Sequence, residues 1–357
     1  MARKSAKATI VVPPTTTTPT ADDALESLPL AQGERRVSDV FPGYENAPQH
    51  ARIYCGIAKP EGAQTGVVTK KDLQYTWSKP NVQLAQQIAA GVASKYWLLD
   101  GPPGCGKTEF AYQFAACTGR AITVLECHEG IEADALFSFL EPTTEASSSG
   151  FARVDGPITK AMRNGDLLVL DELKGLRPAV QMALYNALDG RPVLIRHTGT
   201  LIEPHPEFRV IATVNDVADE KKASFKGAFP LTDPLKSRFA GKKFAAMLAD
   251  AEIEALRRRV PGMATPVASL LVSIATSIRS EAANGGMREI SFRELLVACR
   301  LIVSSYGVAS DNSESGIAAQ MEGVSDSLDM AYGSKESKAI TQRVADLARD
   351  ALALRVR

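Results

Sequence analysis

Residues Gly101 to Thr108 read GPPGCGKT, a run that fits the phosphate-binding pattern G-x-x-x-x-G-K-[S/T]. Gly104 and Gly106 allow the backbone to turn so that successive N–H groups face one centre, and a helix that starts there adds positive potential. Anionic phosphates fit such a centre. Lys107 would reach the β- and γ-phosphates of a bound nucleotide, and the Thr108 hydroxyl would ligate its Mg²⁺.

The segments on either side of this loop agree with a phosphate site. The apolar run YWLL before it is typical of a buried strand, and KTEFAYQFAACTG after it is typical of a helix. The alternative is a glycine-rich turn that matches by chance, and the strand, loop and helix context makes that alternative rarer. The predicted nucleotide-binding residues are therefore Gly101, Pro102, Pro103, Gly104, Cys105, Gly106, Lys107, Thr108 and the adjoining Glu109.

A carboxylate pair follows a second apolar run. In NGDLLVLDE, Asp171 and Glu172 come at the end of a buried strand, and parallel sheets place ligand chemistry at that edge. Asp171 would hold Mg²⁺ through its water shell, and Glu172 could accept a proton from an attacking water molecule. Taken alone, such a pair is more often a solvated strand end or a helix cap. Together with the phosphate loop, it indicates hydrolysis of ATP.

The elements that must position these residues follow from the apolar periodicity. Short apolar runs at 121–126, 167–170 and 208–214 predict strands, and segments with helical periodicity, beginning at Asn81, alternate with them. This alternation favours a parallel sheet with helices on both faces, which is an α/β fold. After about Met247 only helical periodicity remains, so we expect a small helical domain after the sheet.

Composition and periodicity divide the chain into four parts. Residues 1–36 mix Thr, Pro, Ala and charge with few large apolar side chains, and we predict a disordered arm because such a segment cannot offset the entropy of ordering. Residues 37–80 have an irregular pattern that suggests an extended segment packed on a core. The α/β core is predicted at 81–247, and the helical domain with the C-terminal helices at 248–357.

The charge balance and the cysteines narrow the function classes. Lys plus Arg and Asp plus Glu both number 41, so net charge gives no reason to expect nucleic acid or an anionic membrane as a partner. The five cysteines show neither C-x-x-C spacing nor a secretory framework, which is typical of reduced cytosolic thiols. No apolar run approaches the roughly 18 residues of a membrane span. The expected location is the cytoplasm.

The order of these motifs resembles that of the AAA+ ATPases. The loop, LLVLDE, the strand ending IATVND and the segment FPLTDPLKSRF follow one another in the order of that family. The stretches GPITKAMRNGDLLVLDELKGLRPAVQMALYNALDGR and HPEFRVIATVND resemble the MoxR branch more narrowly, including its CbbQ and NorQ relatives. The resemblance covers roughly residues 79 to 305. It implies a P-loop NTPase sheet flanked by helices and followed by a small all-helical lid domain.

The resemblance also assigns roles to further residues. Asn215 would be the sensor that orients water against the γ-phosphate, and Arg238 in LKSRF would be the arginine finger that completes the site of a neighbouring subunit. Arg293 in ISFRELLVAC matches the second sensor on the lid helix, where it would bind the nucleotide, with Arg288 as the competing candidate. The alternatives are an Asn turn and solvated helix arginines. A finger that acts between subunits implies a ring, expected to be a hexamer.

Two segments resemble the pore-facing parts of the MoxR branch. EPTTEASSSGFARVDGPI resembles its insertion in the second helix, and RPVLIRHTGTLIEPHPE resembles its hairpin before the sensor strand. On this interpretation Phe137, Phe151, Arg196 and His197 grip a protein client. For each of the four, an ordinary loop or hairpin role is the favoured alternative.

The resemblance implies an ATP- and Mg²⁺-dependent remodelling chaperone that acts as a ring on a protein client, often with a von Willebrand A-domain partner. The alternative is a DNA-linked motor resembling McrB-type or helicase-related rings, against which the balanced charge argues weakly. A third hypothesis is a nucleotide-gated assembly factor that switches by forming a ring without pulling on a client.

Overall fold

The structure is a computed structural model, and it describes residues 32–48, 51–55, 66–142, 151–195, 198–215, 229–245, 247–283, 288–332 and 338–355. Most of the arm predicted at residues 1–36 lies outside these ranges, and so do Arg196 and His197. Within the described ranges, no helix is long and apolar enough to cross a membrane.

Short strands and helices alternate along the chain. In chain order the strands are β1 Glu34–Arg36, β2 Arg52–Tyr54, β3 Val67–Val68, β4 Tyr96–Gly101, β5 Ala121–Glu126, β6 Ser138–Pro142, β7 Phe151–Asp155, β8 Leu167–Asp171, β9 Val193–Ile195, β10 Thr200–Ile202, β11 Arg209–Asn215 and β12 Ala240–Lys243. The helices are α1 Val37–Val40, α2 Lys79–Ala90, α3 Lys107–Thr118, α4 Pro157–Asn164, α5 Pro178–Ala183, α6 Tyr185–Leu188, α7 Asp233–Lys236, α8 Ala249–Arg259, α9 Thr265–Ala283, α10 Phe292–Tyr306, α11 Glu314–Glu322, α12 Val324–Ala331 and α13 Lys338–Arg355.

The central sheet has six strands in the order β12-β4-β11-β8-β5-β3. Neighbouring strands are parallel, except that β3 joins the edge antiparallel to β5. The predicted α/β fold, with a parallel sheet followed by a helical region, is confirmed, and one antiparallel edge strand is added. Because β4, β11 and β8 are parallel neighbours, their carboxyl ends meet at one edge of the sheet.

Both faces of the sheet are covered. Successive residues of a strand point to opposite faces. In β8, Leu168 and Leu170 pack with α4 and α5 in one core, whereas Leu167 and Val169 pack with α2 and α3 in another. This double burial explains why the β8 sequence is continuously apolar instead of alternating.

The helices after β12 enclose a third core. α8 to α13 surround buried side chains such as Leu271, Ile278 and Leu295. At the start of α10, the Ser291 hydroxyl accepts from the Glu294 N–H, and the Glu294 carboxylate accepts from the Ser291 N–H. This reciprocal cap fixes where α10 begins.

Aromatic packing attaches the segment before α2 to the sheet unit. Trp77 is buried, with its ring centroid 4.4 Å from that of Phe41 and 5.7 Å from that of Phe110 in α3. Aromatic side chains bury large apolar areas, so Trp77 anchors this segment on the helix that follows the phosphate loop.

Polar contacts connect the same segment to the helical domain. The Asp72 N–H donates to the Gln113 Oε1 atom in α3 at 2.8 Å. The Asp72 carboxylate accepts a hydrogen bond from the Arg259 guanidinium in α8 at 2.6 Å. Asp72 therefore bridges α3 and α8.

Replacement of Trp77 by Ala should lower the free energy of unfolding by about 3–5 kcal/mol, because it leaves a cavity beneath the segment. Chemical denaturation followed by circular dichroism measures the change. Val92→Ala, at a position that is 91% exposed, is the control and should unfold as the wild type does. A Trp77→Ala protein with the wild-type denaturation midpoint would contradict this packing.

Candidate active site

The phosphate loop connects β4 to α3 at the carboxyl edge of the sheet. β4 ends at Gly101, and α3 begins at Lys107. Gly104 and Gly106 have φ values of 75° and 90°, a region that side chains other than glycine rarely adopt. A Cβ atom added at Gly104 would lie 2.8 Å from the Cβ of Ser291, so the loop touches the start of α10. The strand, loop and helix context predicted from the sequence is present.

Lys107 is only 6% exposed, and its ammonium lies inside this loop. It donates to the carbonyl oxygens of Gly101 and Pro102, each at 2.8 Å. It also donates to the Asn215 Oδ1 atom at 3.1 Å. Because β11 is the parallel neighbour of β4, with Asn215 paired to Gly101, the predicted sensor sits beside the loop lysine.

The two predicted metal ligands are in direct contact. The Thr108 hydroxyl donates to the Asp171 Oδ1 atom at 2.8 Å. A second hydroxyl, that of Thr213 in β11, donates to the same oxygen at 2.5 Å. Magnesium prefers oxygen ligands and is usually held by one or two protein groups together with water and phosphate oxygens. Thr108 and Asp171 fit this requirement, since the proton of the Thr108 hydroxyl points to Asp171 and its lone pairs stay available to a cation.

Glu172 follows Asp171 and has an unusual backbone. Its φ of 56° is the only positive φ of a non-glycine residue in the described part of the chain. The Glu172 N–H donates to the Thr213 hydroxyl at 3.0 Å, and its carbonyl accepts from the Gly175 N–H at 2.7 Å. Its side chain is exposed at the sheet edge.

Thr213 was not predicted from the sequence, although its hydroxyl contacts both the Asp171 carboxylate and the Glu172 N–H. The only sign in the sequence is a hydroxyl within the otherwise apolar run VIATV. A buried hydroxyl in a strand is commonly satisfied by a neighbouring carbonyl, so its partner could not be deduced without the register of β8 and β11.

Glu109, which was grouped with the nucleotide-binding residues, points along α3. Its carboxylate accepts from the Gln113 side chain at 3.0 Å. Gln113 is also the acceptor for the Asp72 N–H. Glu109 is therefore linked through Gln113 to the segment that bridges to the helical domain.

Two thiols lie close to the charged groups, and both are disfavoured as thiolates. Burial raises the pKa of Cys105, against the lowering effect of the nearby Lys107 ammonium. Burial raises the pKa of Cys127 to about 12, and the carboxylates of Asp171 and Glu172 add to that shift. Neither residue has the depressed pKa of a reactive cysteine, so Cys105 fits a loop side chain better than a nucleophile.

Arg238 makes its contacts away from the phosphate loop. Its guanidinium pairs with the Asp189 carboxylate, with Nε–Oδ1 and Nη2–Oδ2 distances of 2.7 and 3.1 Å. It also lies over the Tyr185 ring, 4.4 Å from the centroid. No hydrogen bond within the described ranges joins Arg238 to Lys107 or Asp171. The structure thus does not bring Arg238 together with the other candidate residues of its own chain.

The two candidates for the second sensor differ in their surroundings. Arg288 is held by two hydrogen bonds to the Glu294 carboxylate, at 2.8 and 3.2 Å, and lies over the Tyr332 ring. Arg293 is exposed in the first turn of α10 and makes no hydrogen bond or ion pair within the described residues. Because α10 begins against Gly104, Arg293 is close in sequence to the loop contact and has an uncommitted guanidinium.

A crevice separates the phosphate loop from the helical domain. It is lined by Pro103, Cys105, Met247 and Phe292, and by the ion pair between Glu252 and Arg279. The Arg279 guanidinium makes two hydrogen bonds of 2.8 Å to the Glu252 carboxylate. The crevice places the start of the helical domain directly beside the phosphate loop.

The client-binding candidates are placed on or near two hairpins. Phe137 is partly buried and packs against the core around α4, as an ordinary structural residue does. Phe151 is 53% exposed at the start of β7, which pairs with β6. Four further exposed apolar residues on the β6–β7 and β9–β10 hairpins were not singled out from the sequence, namely Phe139, Leu140, Leu194 and Leu201.

Comparison with known proteins finds a family model that matches the part of the chain that carries this site. Residues 97–239 match the family model described as AAA domain (dynein-related subfamily). An uncharacterized protein of Staphylococcus haemolyticus is 33% identical over 148 residues, which are 41% of this chain and 54% of the relative. The uncharacterized protein YojN of Bacillus subtilis is 31% identical over 157 residues, which are 44% of this chain and 49% of YojN. The chain thus spans about half the length of these relatives.

Among solved structures, the RuvB Holliday junction branch migration motor of Thermotoga maritima is similar with a TM-score of 0.41 and 18% identity. The similarity covers 68% of this chain and 67% of that chain. The family match, by contrast, includes the phosphate loop, the carboxylate pair and Asn215. Residues 97–239 are therefore similar to an AAA domain of the dynein-related subfamily, and the central sheet has the P-loop AAA fold.

Proposed function

We propose that this chain is a Mg²⁺-dependent ATPase that forms a ring in the cytoplasm and remodels a protein client, as the MoxR branch does. The observation that carries hydrolysis is the hydrogen-bonded set at the sheet edge, where Lys107 contacts Asn215 and Thr108 contacts Asp171. β11 supplies Asn215, β8 supplies Asp171, and α3, which follows β4, supplies Lys107 and Thr108. The pairing of β11 with both β4 and β8 brings these side chains together.

Each residue of this set has its own role in hydrolysis. ATP supplies the phosphoryl group, and Mg²⁺ neutralises charge on the phosphates when bound. Lys107 and the N–H groups of the loop bind phosphate oxygens, while Thr108 and Asp171 hold the metal. Glu172 accepts the proton of the attacking water as the new O–P bond forms and the bond to the ADP oxygen breaks. Asn215 orients that water.

The proposal of a ring rests on Arg238. The guanidinium is held by Asp189 and Tyr185, away from the phosphate loop of the same chain, and its side chain is 22% exposed. An arginine that stabilises the transferring phosphoryl group must reach the γ-phosphate. We therefore propose that Arg238 serves the site of the next subunit, and that the ring is a hexamer.

The second sensor is proposed to be Arg293. Its guanidinium is exposed and uncommitted within the described residues, whereas that of Arg288 is engaged by Glu294 and Tyr332. The start of α10 touches the loop at Gly104, so a nucleotide whose phosphates occupy the loop lies close to the first turn of this helix. Arg293 would bind a phosphate from the side of the helical domain.

The proposal of a protein client is supported by the exposed apolar side chains of the two hairpins. Leu140 and Phe151 on the β6–β7 hairpin are 56% and 53% exposed, and Leu194 and Leu201 on the β9–β10 hairpin are 55% and 57% exposed. Large apolar side chains that cluster at a surface mark protein-binding sites more often than nucleic-acid sites, which need positive charge. A von Willebrand A-domain protein is the proposed partner that delivers the client.

The variant Glu172→Gln should bind ATP but hydrolyse it about 10²–10⁴-fold more slowly, because the amide cannot accept the proton. Lys107→Ala should instead lose nucleotide binding. Calorimetry with ATP and Mg²⁺ and a phosphate-release assay measure the two properties. The matched control is Glu129→Gln, an exposed position, which should behave as the wild type does. Normal turnover by Glu172→Gln would remove Glu172 from its proposed role.

The variant Arg238→Ala should lose roughly 10³-fold or more of the hydrolysis rate, because the neighbouring site then lacks its finger. Mixing it with Glu172→Gln should restore activity, since Glu172→Gln subunits supply Arg238 to sites that retain Glu172. Hydrolysis rates of the two variants alone and mixed decide the matter. Arg349→Ala, at an exposed side chain, is the control. The absence of any rescue in mixtures that form rings would argue against a shared site.

The double variant Leu140→Ser and Leu194→Ser, made in the Glu172→Gln background, should capture client protein more weakly than Glu172→Gln alone. Leu248→Ser, at an exposed apolar position outside both hairpins, should capture it normally. Pull-down from the native lysate with bound ATP, followed by mass spectrometry, measures capture. In parallel, duplex DNA at low salt should leave the hydrolysis rate of the wild type unchanged. Stimulation by DNA would favour the alternative of a DNA-linked motor.

A further inference from the structure

Thr213 occupies a position from which one hydroxyl contacts both members of the carboxylate pair. The residue is 2% exposed in β11, between β4 and β8. Its hydroxyl donates to the Asp171 Oδ1 atom at 2.5 Å and accepts from the Glu172 N–H at 3.0 Å. A hydroxyl has one proton to donate and two lone pairs with which to accept. At Thr213 the proton is committed to Asp171, and one lone pair is committed to Glu172.

The backbone at Glu172 needs such a contact. With φ 56° and ψ 50°, Glu172 is in the left-handed region, which costs energy for a residue with a side chain. Residues remain in this region only where their surroundings hold them there. Here the N–H is held by the Thr213 hydroxyl and the carbonyl by the Gly175 N–H.

The register of the sheet explains why a side chain makes this contact. The pairing of β8 with β11 runs from Arg209 opposite Leu167 to Ala212 opposite Leu170 and stops there. One step further, the Thr213 side chain takes the place of a backbone partner for Glu172. The chain can therefore leave the plane of the sheet at Glu172 without leaving that N–H unsatisfied.

The same hydroxyl restrains the side chain of Asp171. Thr108 in α3 and Thr213 in β11 both donate to Oδ1, so the carboxylate is fixed by two hydrogen bonds. The Oδ2 atom accepts no hydrogen bond from the described residues. A carboxylate held in this way presents Oδ2 to the water shell of a metal ion without losing further side-chain entropy.

We infer that Thr213 is a positioning residue that sets the orientation of Asp171 toward Mg²⁺ and the backbone of Glu172 toward the attacking water. The inference rests on the proposed ATP hydrolysis, but its two parts are separable. The restraint on Asp171 acts on metal binding, and the restraint on Glu172 acts on the hydrolysis step. A threonine that only fills space in β11 would affect neither.

The test compares Thr213→Val, which keeps the shape and removes the hydroxyl, with Thr213→Ser, which keeps the hydroxyl. Thr213→Val should lower kcat and raise the Mg²⁺ concentration for half-maximal rate, each by about 10- to 100-fold, as loss of an outer-shell partner does. The affinity for ADP without Mg²⁺ and the KM for ATP at saturating Mg²⁺ should stay within about threefold, because Lys107 and the loop are untouched. Thr213→Ser should recover most of both losses.

Two readouts do not depend on turnover. Mn²⁺ binding in the presence of ADP, followed by electron paramagnetic resonance, should weaken in Thr213→Val and recover in Thr213→Ser. Hydrogen exchange of the Glu172 amide, observed by NMR, should accelerate in Thr213→Val only. The control Thr123→Val removes a buried strand hydroxyl that has no hydrogen-bond partner among the described residues, and it should match the wild type in every readout.

The outcomes separate this inference from the proposed function. If the wild type hydrolyses ATP and Thr213→Val keeps its kcat, its Mg²⁺ dependence and its Glu172 exchange rate, the inference is overturned and the ATPase proposal stands. If the wild type binds Mn²⁺ with ADP but hydrolyses nothing, and Thr213→Val weakens that binding, the positioning of Asp171 stands and hydrolysis is refuted. A uniform loss in Thr213→Val that Thr213→Ser does not recover would indicate a packing role only.

Discussion

The buried ammonium of Lys107 is the constraint on which the site depends. A charged group removed from water is costly unless hydrogen bonds replace its hydration. Lys107 meets this requirement with two carbonyls of its own loop and with Asn215 from the neighbouring strand. The loop must therefore keep its carbonyls turned inward, and β11 must lie directly beside β4. One cation thus fixes both a local loop conformation and a long-range strand pairing.

The Asp171 carboxylate carries the opposite charge and needs hydrogen-bond donors in place of water, and β11 supplies one of them. Asp171 lies two strands from β4 and receives hydroxyl protons from α3 and from β11. β11 therefore supplies Asn215 to the cation and Thr213 to the anion. Because alternate residues of a strand share a face, two positions spaced by two residues along β11 reach the same edge region of the site. β11 therefore contacts both Lys107 and Asp171, the two oppositely charged groups of the site.

Local sequence patterns predicted the parts of the site that are formed by residues close together in the chain. They did not predict the contacts between distant segments. The phosphate loop, β8 and the order of strands and helices were readable because spacing and periodicity act over short stretches of chain. Thr213 and the Asp189 partner of Arg238 were not, because each depends on packing between residues far apart in sequence. The bridging role of Asp72 was not predictable either, since the sequence of an irregular segment has no periodicity that indicates its partners. Roles inferred from resemblance, such as those of Asn215 and Arg293, stay predictions until variants are measured.

The contact between Gly104 and Ser291 has a mechanical consequence. At this point the loop offers no side chain, and a single added carbon would meet the cap of α10. The crevice lined by Met247 and Phe292 begins beside the same contact, so its width changes whenever α10 moves relative to the loop. Because the loop and the helical domain touch here, a displacement of α10 toward the loop would have to deform the backbone that carries Lys107.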